Sequence, residues 1–416
     1  MADGGAQSVL LVTQHFQPTR SSGGRLLSQL MPRLVADNLQ VDVLTSDLVG
    51  GAARENWRGV NVRRLRHSDK RRGILLRGLI EGWFAAKTAL YLAGWRRPDV
   101  AIIHSSPPFL PYVLGPICRL RGIPYIYIMF DLYPDTLAFM GKMRRGSLVY
   151  RVWDRLSRRA LRQAAAVSIE GRCVERYIQG KFDHPLDNLR IVHNWSESDV
   201  IFPLPKEQNH YYRTGVVRAD QFVVQYAGNI GRIQDFDVIL GAAERLRSHR
   251  DVVFFIVGDG NHAATLDSEI ARRSLDNVVR LPFQDEALKN DLLNACDLSL
   301  ITLKPGLENI GVPSKIYPTL AAGVPVLSVL AADSEVALIL KESNVGINTE
   351  ERSGRVLADN ILLAKTGGVT FADVRKVYEQ RFDIGVAAAA YSRLIASVSG
   401  VGEHMVGLAR PATRGE

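Results

Sequence analysis

Four short loops of glycine, proline, polar and charged residues have the composition of a phosphate-binding site. They occupy residues 228–232 (GNIGR), 258–260 (GDG), 282–285 (PFQD) and 305–315 (PGLENIGVPSK), and each follows an apolar run of the strand type. Glycine lets backbone amides approach a ligand closely, and Arg or Lys pairs with phosphate oxygens. Each loop alone is weak evidence, because such residues are common in loops. Together, at the ends of successive strands, they favour a nucleoside-diphosphate site.

Individual residues of these loops receive roles in that site. The diphosphate is expected at Gly228, Asn229, Arg232, Gly311, Val312, Ser314 and Lys315. The base and ribose are expected at Gly258, Asp259 and Phe283. Ser314 and Lys315 stand at a predicted helix entrance, and Pro318 falls in the first turn, where a helix needs no N–H from it.

Two loops of the first half also follow predicted strands. Gly23 and Gly24 precede a helix and could contact a phosphate, although an ordinary tight turn fits them equally well. They do not form a GxGxxG fingerprint, so a dinucleotide site is disfavoured. Asp131 follows the run 125–129 and could accept a proton or hold a substrate hydroxyl; the alternative role is a helix N-cap.

The elements that must position these residues form two series of alternating strands and helices. Strands are predicted at 8–13, 40–45, 60–65, 100–104 and 125–129, and then at 221–227, 252–257, 278–281, 298–302 and 325–330. Helices are predicted at 24–36, 237–247 and 286–295. Nearly continuous apolar strands between helices are typical of parallel sheets. The fold class is therefore α/β, with two doubly wound, Rossmann-like domains in succession.

The polar stretch 194–215 is the predicted boundary between the domains. We expect an acceptor-binding domain at 1–200 and a nucleotide-sugar-binding domain at 201–375. An alanine-rich amphipathic helix within 371–396 is expected to pack back on the first domain, so 376–416 forms a third segment of helix and tail. The 416 residues, 46% of them hydrophobic and 23% charged, are enough for two such cores.

Three widely spaced cysteines give neither a disulfide framework nor a zinc pattern. A reducing compartment is the simple interpretation, and the first residues lack the features of a signal peptide. The sequence carries no indication of an oligomeric state.

Charge is distributed unevenly along the chain. Residues 1–200 hold 29 Lys and Arg against 17 Asp and Glu, whereas the remainder holds 23 against 26. A basic front half suggests an anionic partner, and the lack of aromatic-interleaved basic clusters favours a membrane surface over nucleic acid. Residues 74–95 are apolar but carry three charges and have basic flanks, so residues 70–97 are expected to lie on an anionic membrane, an ordinary sheet-packing helix being the alternative.

Five stretches occur in an order that resembles a known family. They are "RIVHNWSESDVIFP" at 190–203, "YAGNIGRIQDFDVIL" at 226–240, "FFIVGDG" at 254–260, "NVVRLPF" at 277–283 and "ACDLSLITLKPGLENIGVPSKIYPTLAAGVPVL" at 295–327. The chain resembles the retaining, nucleotide-sugar-dependent glycosyltransferases of family 4, with the GT-B fold of two domains facing across a cleft. Its strongest similarity is to bacterial enzymes that build capsule, O-antigen or colanic acid.

The resemblance implies a donor sugar held mainly by the second domain and a lipid-linked or saccharide acceptor held by the first. It implies no cofactor and no metal, with retention at the anomeric carbon. Asp131 would lie near the reacting carbon, Glu308 would hold the donor sugar, and Gly23 and Gly24 would contact the phosphates. The enzyme would be cytoplasmic and peripheral on the inner face of the cell membrane.

The chain departs from the family at the basic pair that usually follows the strand before the Gly228 loop. Those two positions are Asn229 and Gln234. Arg232 and Lys315 are the proposed replacements, since either can pair with the same diphosphate.

Two further departures concern a histidine and a glutamate. The usual histidine before the aspartate of the first-domain loop is Phe130, and the second of two glutamates is Pro318. Glu308 lies two residues from the position of the first glutamate.

A glycosyltransferase is therefore the first hypothesis. A nucleotide-sugar 2-epimerase on the same fold, and an inactive transferase-like binding protein, are the alternatives.

Overall fold

The structure is a computed structural model that describes residues 6–19, 21–46, 51–65, 74–94 and 97–400, with the side chains of 74–80 left aside. Contacts divide the chain into two compact units. Unit 1 comprises Met1–Ile169, Lys181–Val192 and Ala388–Glu416, within the described ranges, and unit 2 comprises Glu170–Gly180 and His193–Ala387. The chain therefore enters unit 2 for eleven residues, returns to unit 1, and enters unit 2 again before residue 200.

Unit 1 is built on one sheet with the strand order β3-β4-β2-β1-β5-β6-β7-β8 among its described residues. The strands are β1 Ser8–Val12, β2 Gln40–Ser46, β3 Arg54–Trp57, β4 Val60–Leu65, β5 Val100–His104, β6 Tyr125–Ile128, β7 Ala166–Ile169 and β8 Leu189–Ile191. All neighbours pair in parallel except β3, which is antiparallel to β4 at the edge. The helices are α1 Ser22–Ala36, α2 Ile74–Gly94, α3 Leu110–Leu120, α4 Asp135–Phe139 and α5 Leu148–Gln163.

Unit 2 contains an entirely parallel sheet with the order β11-β10-β9-β12-β13-β14. Its strands are β9 Phe222–Ala227, β10 Val252–Val257, β11 Val278–Leu281, β12 Leu298–Thr302, β13 Val326–Val329 and β14 Gly346–Thr349. All six residues of β10 are buried, as expected for a central strand covered by helices on both faces.

The helices of unit 2 connect these strands. They are α6 Arg172–Gln179, α7 His210–Arg213, α8 Phe236–Arg245, α9 Ala263–Arg272, α10 Lys289–Leu293, α11 Ile316–Ala321, α12 Glu335–Ser343, α13 Gly354–Lys365 and α14 Val374–Arg381. Helix α15, Ile384–Val398, begins in unit 2 and continues into unit 1, where Tyr391 hydrogen-bonds Ser168 at 2.8 Å.

The two predicted sheets are confirmed, and all ten predicted strands are present. The predicted helix at 286–295 is shorter than expected, because a 3₁₀ turn at Glu286–Leu288 precedes α10. Pro318 is the third residue of α11, in the first turn as predicted. Among the described residues, no helix is both long enough and apolar enough to cross a membrane. The predicted membrane segment 70–97 lies partly outside the described residues, which include its helix α2 but not 70–73 or 95–96.

The segment Glu170–Gly180 is held in unit 2 by a buried carboxylate. Glu335, 1% exposed, accepts hydrogen bonds from the Arg172 backbone N–H at 2.6 Å, the Arg172 Nη2 at 2.9 Å and the His193 Nε2 at 2.9 Å. Burial by itself raises the pKa of Glu335, but the hydrogen bonds from His193 and Arg172 outweigh it and lower the pKa to about 2. Gly171 packs so closely on Glu335 that a Cβ there would lie 2.7 Å from its Cγ.

We expect Glu335→Gln to lower the free energy of unfolding by about 2 kcal/mol, because it removes the buried charge that accepts hydrogen bonds from Arg172 and His193, while Arg172 keeps its ion pair with Glu342. The stabilisation by the carboxylate is present above its ordinary pKa of 4.5 and is lost as the pH falls toward about 2. The difference between wild type and variant in urea denaturation should therefore shrink between pH 6 and pH 3. Glu350→Gln, at an exposed residue, is the control and should change little. Equal stability of the Glu335 variant and wild type at pH 6 would contradict this role.

Candidate active site

The four predicted ligand loops lie at one edge of the unit 2 sheet. They follow β9, β10, β11 and β12, and these strands are parallel neighbours in the order β11-β10-β9-β12. The carboxyl ends of parallel strands share an edge, which is where open α/β sheets bind ligands. The predicted clustering of the loops is therefore present in the structure.

Two glycines set the distance between the first two loops. A Cβ on Gly258 would lie 1.8 Å from the Gly228 carbonyl oxygen, and a Cβ on Gly260 would lie 2.3 Å from the Ile230 carbonyl oxygen. Both glycines also have a positive φ, 147° and 156°. Only glycine fits such a close approach in such a conformation.

The same packing occupies several backbone amides. The N–H of Gly228 donates to Val257 at 2.9 Å, and the N–H of Ile230 donates to Asp259 at 2.8 Å. The N–H of Gly231 donates to the side chain of Gln234 at 2.9 Å. These three donors therefore hold the loop itself, and the cationic side chains nearby can pair with an anion.

Lys315 is the cation that these loops enclose. It caps α11, and although part of the residue is accessible, its Nζ is buried and has no hydrogen-bond partner among the described residues. The Nζ lies 3.6 Å from the centroid of the Tyr226 ring and 3.4 Å from where a Cβ on Gly228 would be. Burial lowers the pKa of Lys315 to about 7. An enclosed ammonium without a partner is costly, so this site is built to receive a negative charge.

Glu308 is the buried acid of the fourth loop. It is 3% exposed, in the 3₁₀ turn Leu307–Asn309, and its Oε2 has no partner among the described residues. Its Oε1 lies 3.8 Å from the Nη2 of Arg352, and the Nη1 of the same arginine pairs with Asp235 at 3.1 Å. The free oxygen can accept a hydrogen bond from a ligand hydroxyl, as a sugar would offer.

A second buried carboxylate, Glu170, binds the same loop. Its Oε2 accepts the backbone N–H of Val312 at 3.2 Å, and its Oε1 accepts the Nδ2 of Asn194 at 2.6 Å. The predicted phosphate contact of Val312 is therefore not available from this conformation, because its amide already has an anionic acceptor. Sequence reasoning missed Glu170, since a bond between residues so far apart in the chain leaves no local pattern.

The other predicted ligand residues of unit 2 lie on the accessible side of the loops. Exposed among them are Asn229, Arg232, Asp259, Phe283 and Ser314. Arg232 forms no ion pair with any described residue, so its guanidinium is available for a phosphate. Asp259 accepts the N–H of Gly260 at 2.7 Å, and Gly311 has open space where a Cβ would point.

Unit 1 has its own cluster at the carboxyl ends of β1, β5 and β6. Ser21 caps α1, so Gly23 and Gly24 lie in its first turn as predicted. A Cβ on Gly23 would lie 3.0 Å from the Phe130 ring and 3.3 Å from the Nε2 of His104. A Cβ on Gly24 would lie 2.8 Å from the Cβ of His15. Both glycines therefore allow close packing within unit 1, independently of any contact with a phosphate.

His104 belongs to this cluster, and no role for it was predicted from the sequence. Its Nδ1 lies 3.0 Å from the Thr13 hydroxyl, which itself donates to the His15 carbonyl oxygen at 3.2 Å. With the one proton of this hydroxyl donated to the His15 carbonyl oxygen, Nδ1 of His104 is the donor and Nε2 is a buried acceptor without a partner among the described residues. Burial, with a smaller effect of His15, lowers the pKa of His104 to about 3, which keeps the ring neutral.

Asp131 lies in the loop after β6. The Ser105 hydroxyl fixes this loop by accepting the N–H of Phe130 at 3.2 Å and the N–H of Asp131 at 3.3 Å. Asp131 does not cap a helix, because α4 begins only at Asp135 with Pro134 as its cap. The carboxyl remains accessible to solvent on one side, while crowding by protein atoms on the other raises its pKa by desolvation.

Clusters of three or more His, Cys, Asp or Glu side chains able to hold a metal ion are absent from the described residues.

Each of the two α/β units carries ligand-type loops at the carboxyl edge of its sheet, and two such units in one chain match the GT-B fold. The first half matches a family model described as a glycosyl transferase 4-like domain over residues 23–195, and the second matches glycosyl transferases group 1 over residues 221–364. The chain belongs to the family 4 glycosyltransferases, and it is an enzyme of the transferase class.

Named relatives agree with this assignment. The chain is 28% identical over 338 residues to the probable glycosyltransferase WbjE of Pseudomonas aeruginosa, covering 79% of this chain and 83% of that protein. It is 35% identical over 259 residues to the putative colanic acid biosynthesis glycosyl transferase WcaI of Escherichia coli K12, covering 61% and 63% respectively.

Solved structures share the fold. HepE of Anabaena, solved in complex with UDP and glucose, superposes with a TM-score of 0.70 at 16% identity, covering 94% of this chain and 99% of that one. Sucrose-phosphate synthase of Thermosynechococcus elongatus superposes with a TM-score of 0.74 at 14% identity, covering 95% and 100%.

Gly258→Ala is expected to destabilise unit 2 by at least about 2 kcal/mol, because the new methyl group meets the Gly228 carbonyl and the residue keeps a positive φ. Urea denaturation measures the loss. Gly180→Ala is the matched control, since a Cβ there would lie at an ordinary 3.5 Å from its nearest neighbour. A stable Gly258 variant would show that the two loops do not depend on this contact.

Proposed function

We propose that the enzyme transfers a sugar from a nucleoside-diphosphate sugar to a lipid-linked or saccharide acceptor in the synthesis of a bacterial surface polysaccharide. The enclosed, unpartnered ammonium of Lys315 carries this proposal on the donor side. The names of WbjE and WcaI, and the UDP and UDP-glucose bound in HepE structures, support a nucleotide-sugar donor and a polysaccharide product.

The diphosphate would lie beside Gly228, where the missing side chain leaves the Nζ of Lys315 close to the loop surface. Arg232 would pair with the same phosphates from the solvent side. When the bond between the anomeric carbon and the diphosphate breaks, negative charge grows on the leaving oxygen, and these two cations stabilise it. No metal or cofactor is required in this scheme, and Glu308 would accept a hydroxyl of the donor sugar through its free Oε2.

The proposed acceptor side belongs to unit 1. Asp131 has a raised pKa and an accessible carboxyl, which suits a group that exchanges a proton or a hydrogen bond with a sugar hydroxyl. Gly23 and Gly24 would add a phosphate contact at the start of α1. His104 lies directly behind Phe130, with ring centroids 5.1 Å apart, and it is our candidate for the imidazole that relatives carry at position 130.

Retention at the anomeric carbon and a location on the inner face of the cell membrane are further parts of the proposal. The resemblance to family 4 supports the first, and the basic front half of the chain supports the second.

A direct experiment incubates the protein with nucleotide sugars and a bacterial lipid extract, after a thermal-shift screen against UDP, GDP and ADP has chosen the donor. Sugar in the lipid phase or on added saccharide supports the transferase. Isomerised free donor would instead indicate the 2-epimerase, and tight nucleotide binding without turnover would indicate a binding protein. Unchanged activity in excess EDTA supports the metal-free scheme, and a loss restored by Mg²⁺ would contradict it.

Lys315→Met is expected to weaken UDP binding at least about tenfold, because it removes a buried charge at the phosphates. The variant should be no less stable than wild type, since a buried amine without a partner is replaced by an apolar chain of similar length. Arg232→Ala should weaken binding less, because its guanidinium is exposed. Arg213→Ala, an exposed arginine elsewhere in unit 2, is the control. Calorimetric titration that shows equal UDP affinity for Lys315→Met and wild type would refute the phosphate site.

The affinity for UDP should also depend on pH through Lys315. The free amine has a pKa of about 7, and a bound diphosphate raises it, so binding takes up a proton and weakens as the pH rises from 7.5 to 9.5. Lys315→Met should abolish this slope, whereas Arg213→Ala should keep it. The same slope in both variants would place the titrating group elsewhere.

A further inference from the structure

The outer face of α5 carries a row of exposed apolar side chains. Leu148 is 72% exposed, Val149 64%, Val152 48% and Leu156 43%. Their spacing places them on one stripe of the helix. An exposed apolar stripe of this kind marks an interaction surface rather than chance exposure.

Five arginines occur on the same helix, at positions 151, 155, 158, 159 and 162, and four of them, all except Arg158, are exposed. The only acidic residue of the helix, Asp154, already pairs with Arg158 at 2.7 Å and with Lys181 at 2.6 Å. Among the described residues, Arg155, Arg159 and Arg162 have no acidic partner. The exposed face of α5 is therefore apolar along one side and cationic along the other.

The inward contacts of α5 fix this orientation. The Trp153 ring stacks on Phe109 and Tyr133, with centroids 5.1 and 5.9 Å away, and its Nε1 donates to the Tyr112 hydroxyl at 3.2 Å. Tyr150 donates to Asp135 at 2.9 Å from the same side. Because these residues bind α5 to unit 1, the helix cannot rotate to bury its apolar stripe.

The cationic side of α5 also forms a cavity with the end of α3. The cavity has a volume of about 500 Å³ and is lined by Arg119, Arg155, Arg158, Arg159, Arg162 and Gln163. Beside it, Leu120 is 87% exposed. Guanidinium groups gathered in this way match the geometry of phosphate oxygens.

We propose that α5 and the end of α3 form the surface by which unit 1 docks on an anionic lipid bilayer. Leu148, Val149, Val152 and Leu156 enter the interfacial region, while the arginine cavity receives a lipid phosphate headgroup. This "α5 surface" differs from residues 70–97, to which the sequence assigned membrane contact. It also places the protein where a lipid-linked acceptor is found.

The chemistry of the surface favours a bilayer over the other partners that could cover it. A second copy of this chain would bring arginines against arginines. Nucleic acid would pair with the cavity but would leave the four aliphatic side chains in water. An anionic bilayer satisfies both halves of the face, since it offers phosphates next to an apolar interior.

Vesicle co-sedimentation tests the proposal. The full chain should bind vesicles of 70% phosphatidylcholine and 30% phosphatidylglycerol, and bind pure phosphatidylcholine much more weakly. Arg155→Gln/Arg159→Gln/Arg162→Gln should lower the partition coefficient at least about tenfold. The matched control is Arg213→Gln/Arg245→Gln/Arg250→Gln, which removes three exposed arginines of unit 2 that also lack acidic partners among the described residues.

A second variant tests the apolar residues of the α5 surface. Leu148→Ser/Val152→Ser should weaken binding several-fold even at a salt concentration that screens the charges. Leu363→Ser, at a residue of unit 2 that is 44% exposed, should not. The variant Lys70→Gln/Arg71→Gln/Arg72→Gln tests the other segment. If it abolishes binding while both α5 variants bind as wild type does, the proposal is overturned.

A measurement of insertion into the bilayer distinguishes binding to lipid from binding to other polyanions. All three native cysteines are buried, so an environment-sensitive maleimide dye will label Val152→Cys selectively. Its emission should shift to the blue with the phosphatidylglycerol vesicles and not with heparin, and dye on Arg250→Cys should not shift. An equal shift with heparin would show that the surface binds polyanions rather than a bilayer. A UDP-induced thermal shift, measured on every variant, keeps a failure of membrane docking distinct from a failure of the proposed donor site.

Discussion

The contact between the Gly228 carbonyl oxygen and the Cα of Gly258 is the constraint on which the candidate donor site depends. Two parallel strands end side by side, and their loops can lie against each other only because Gly258 has no side chain, since a Cβ there would lie 1.8 Å from the Gly228 carbonyl oxygen. The amides of Gly228, Ile230 and Gly231 donate hydrogen bonds that hold this arrangement. A ligand can then occupy the space over Gly228 and pair with the ammonium of Lys315 beside that glycine. The chain therefore recognises charge with side chains here, where many nucleotide sites use backbone amides.

Uncompensated buried polar atoms mark both units at corresponding places. In unit 2 they include the Nζ of Lys315 and the Oε2 of Glu308, and in unit 1 they include the Nε2 of His104. His104 is the last residue of β5, and the other two residues follow β12. Such atoms destabilise the unliganded protein, and a ligand that pairs with them recovers that free energy on binding. The cost in stability and the capacity to bind are thus two aspects of the same side chains.

The sequence was sufficient for the fold because its strands are continuous apolar runs. The missed strands β3, β7, β8 and β14 are only three or four residues long, and all but β7 lack a sustained apolar run. The positions of the glycine-rich loops followed from the strands, because parallel strands bring their carboxyl ends together. The partners within the site did not follow. Glu170 meets Val312 across 142 positions, and no spacing rule connects them. The exposure of the apolar side of α5 could not be predicted either. Its apolar residues repeat as in any amphipathic helix, and only the packing shows which side of the helix is covered.

The short excursion of the chain into unit 2 at Glu170–Gly180 has a consequence for how the two units can be separated. The chain passes between the units four times, at 169/170, 180/181, 192/193 and 387/388. A fragment that starts at residue 201 would lack Arg172 and His193, the partners of the buried Glu335. It would also lack Glu170 and Asn194, which hold the loop before Lys315. Unit 2 is therefore compact in space but does not correspond to one continuous segment of the chain. A chimaera that exchanges donor specificity with a relative by swapping halves must carry residues 170–200 together with the second half. Otherwise it delivers the donor loops without Glu170 and Asn194, which position the loop before Lys315.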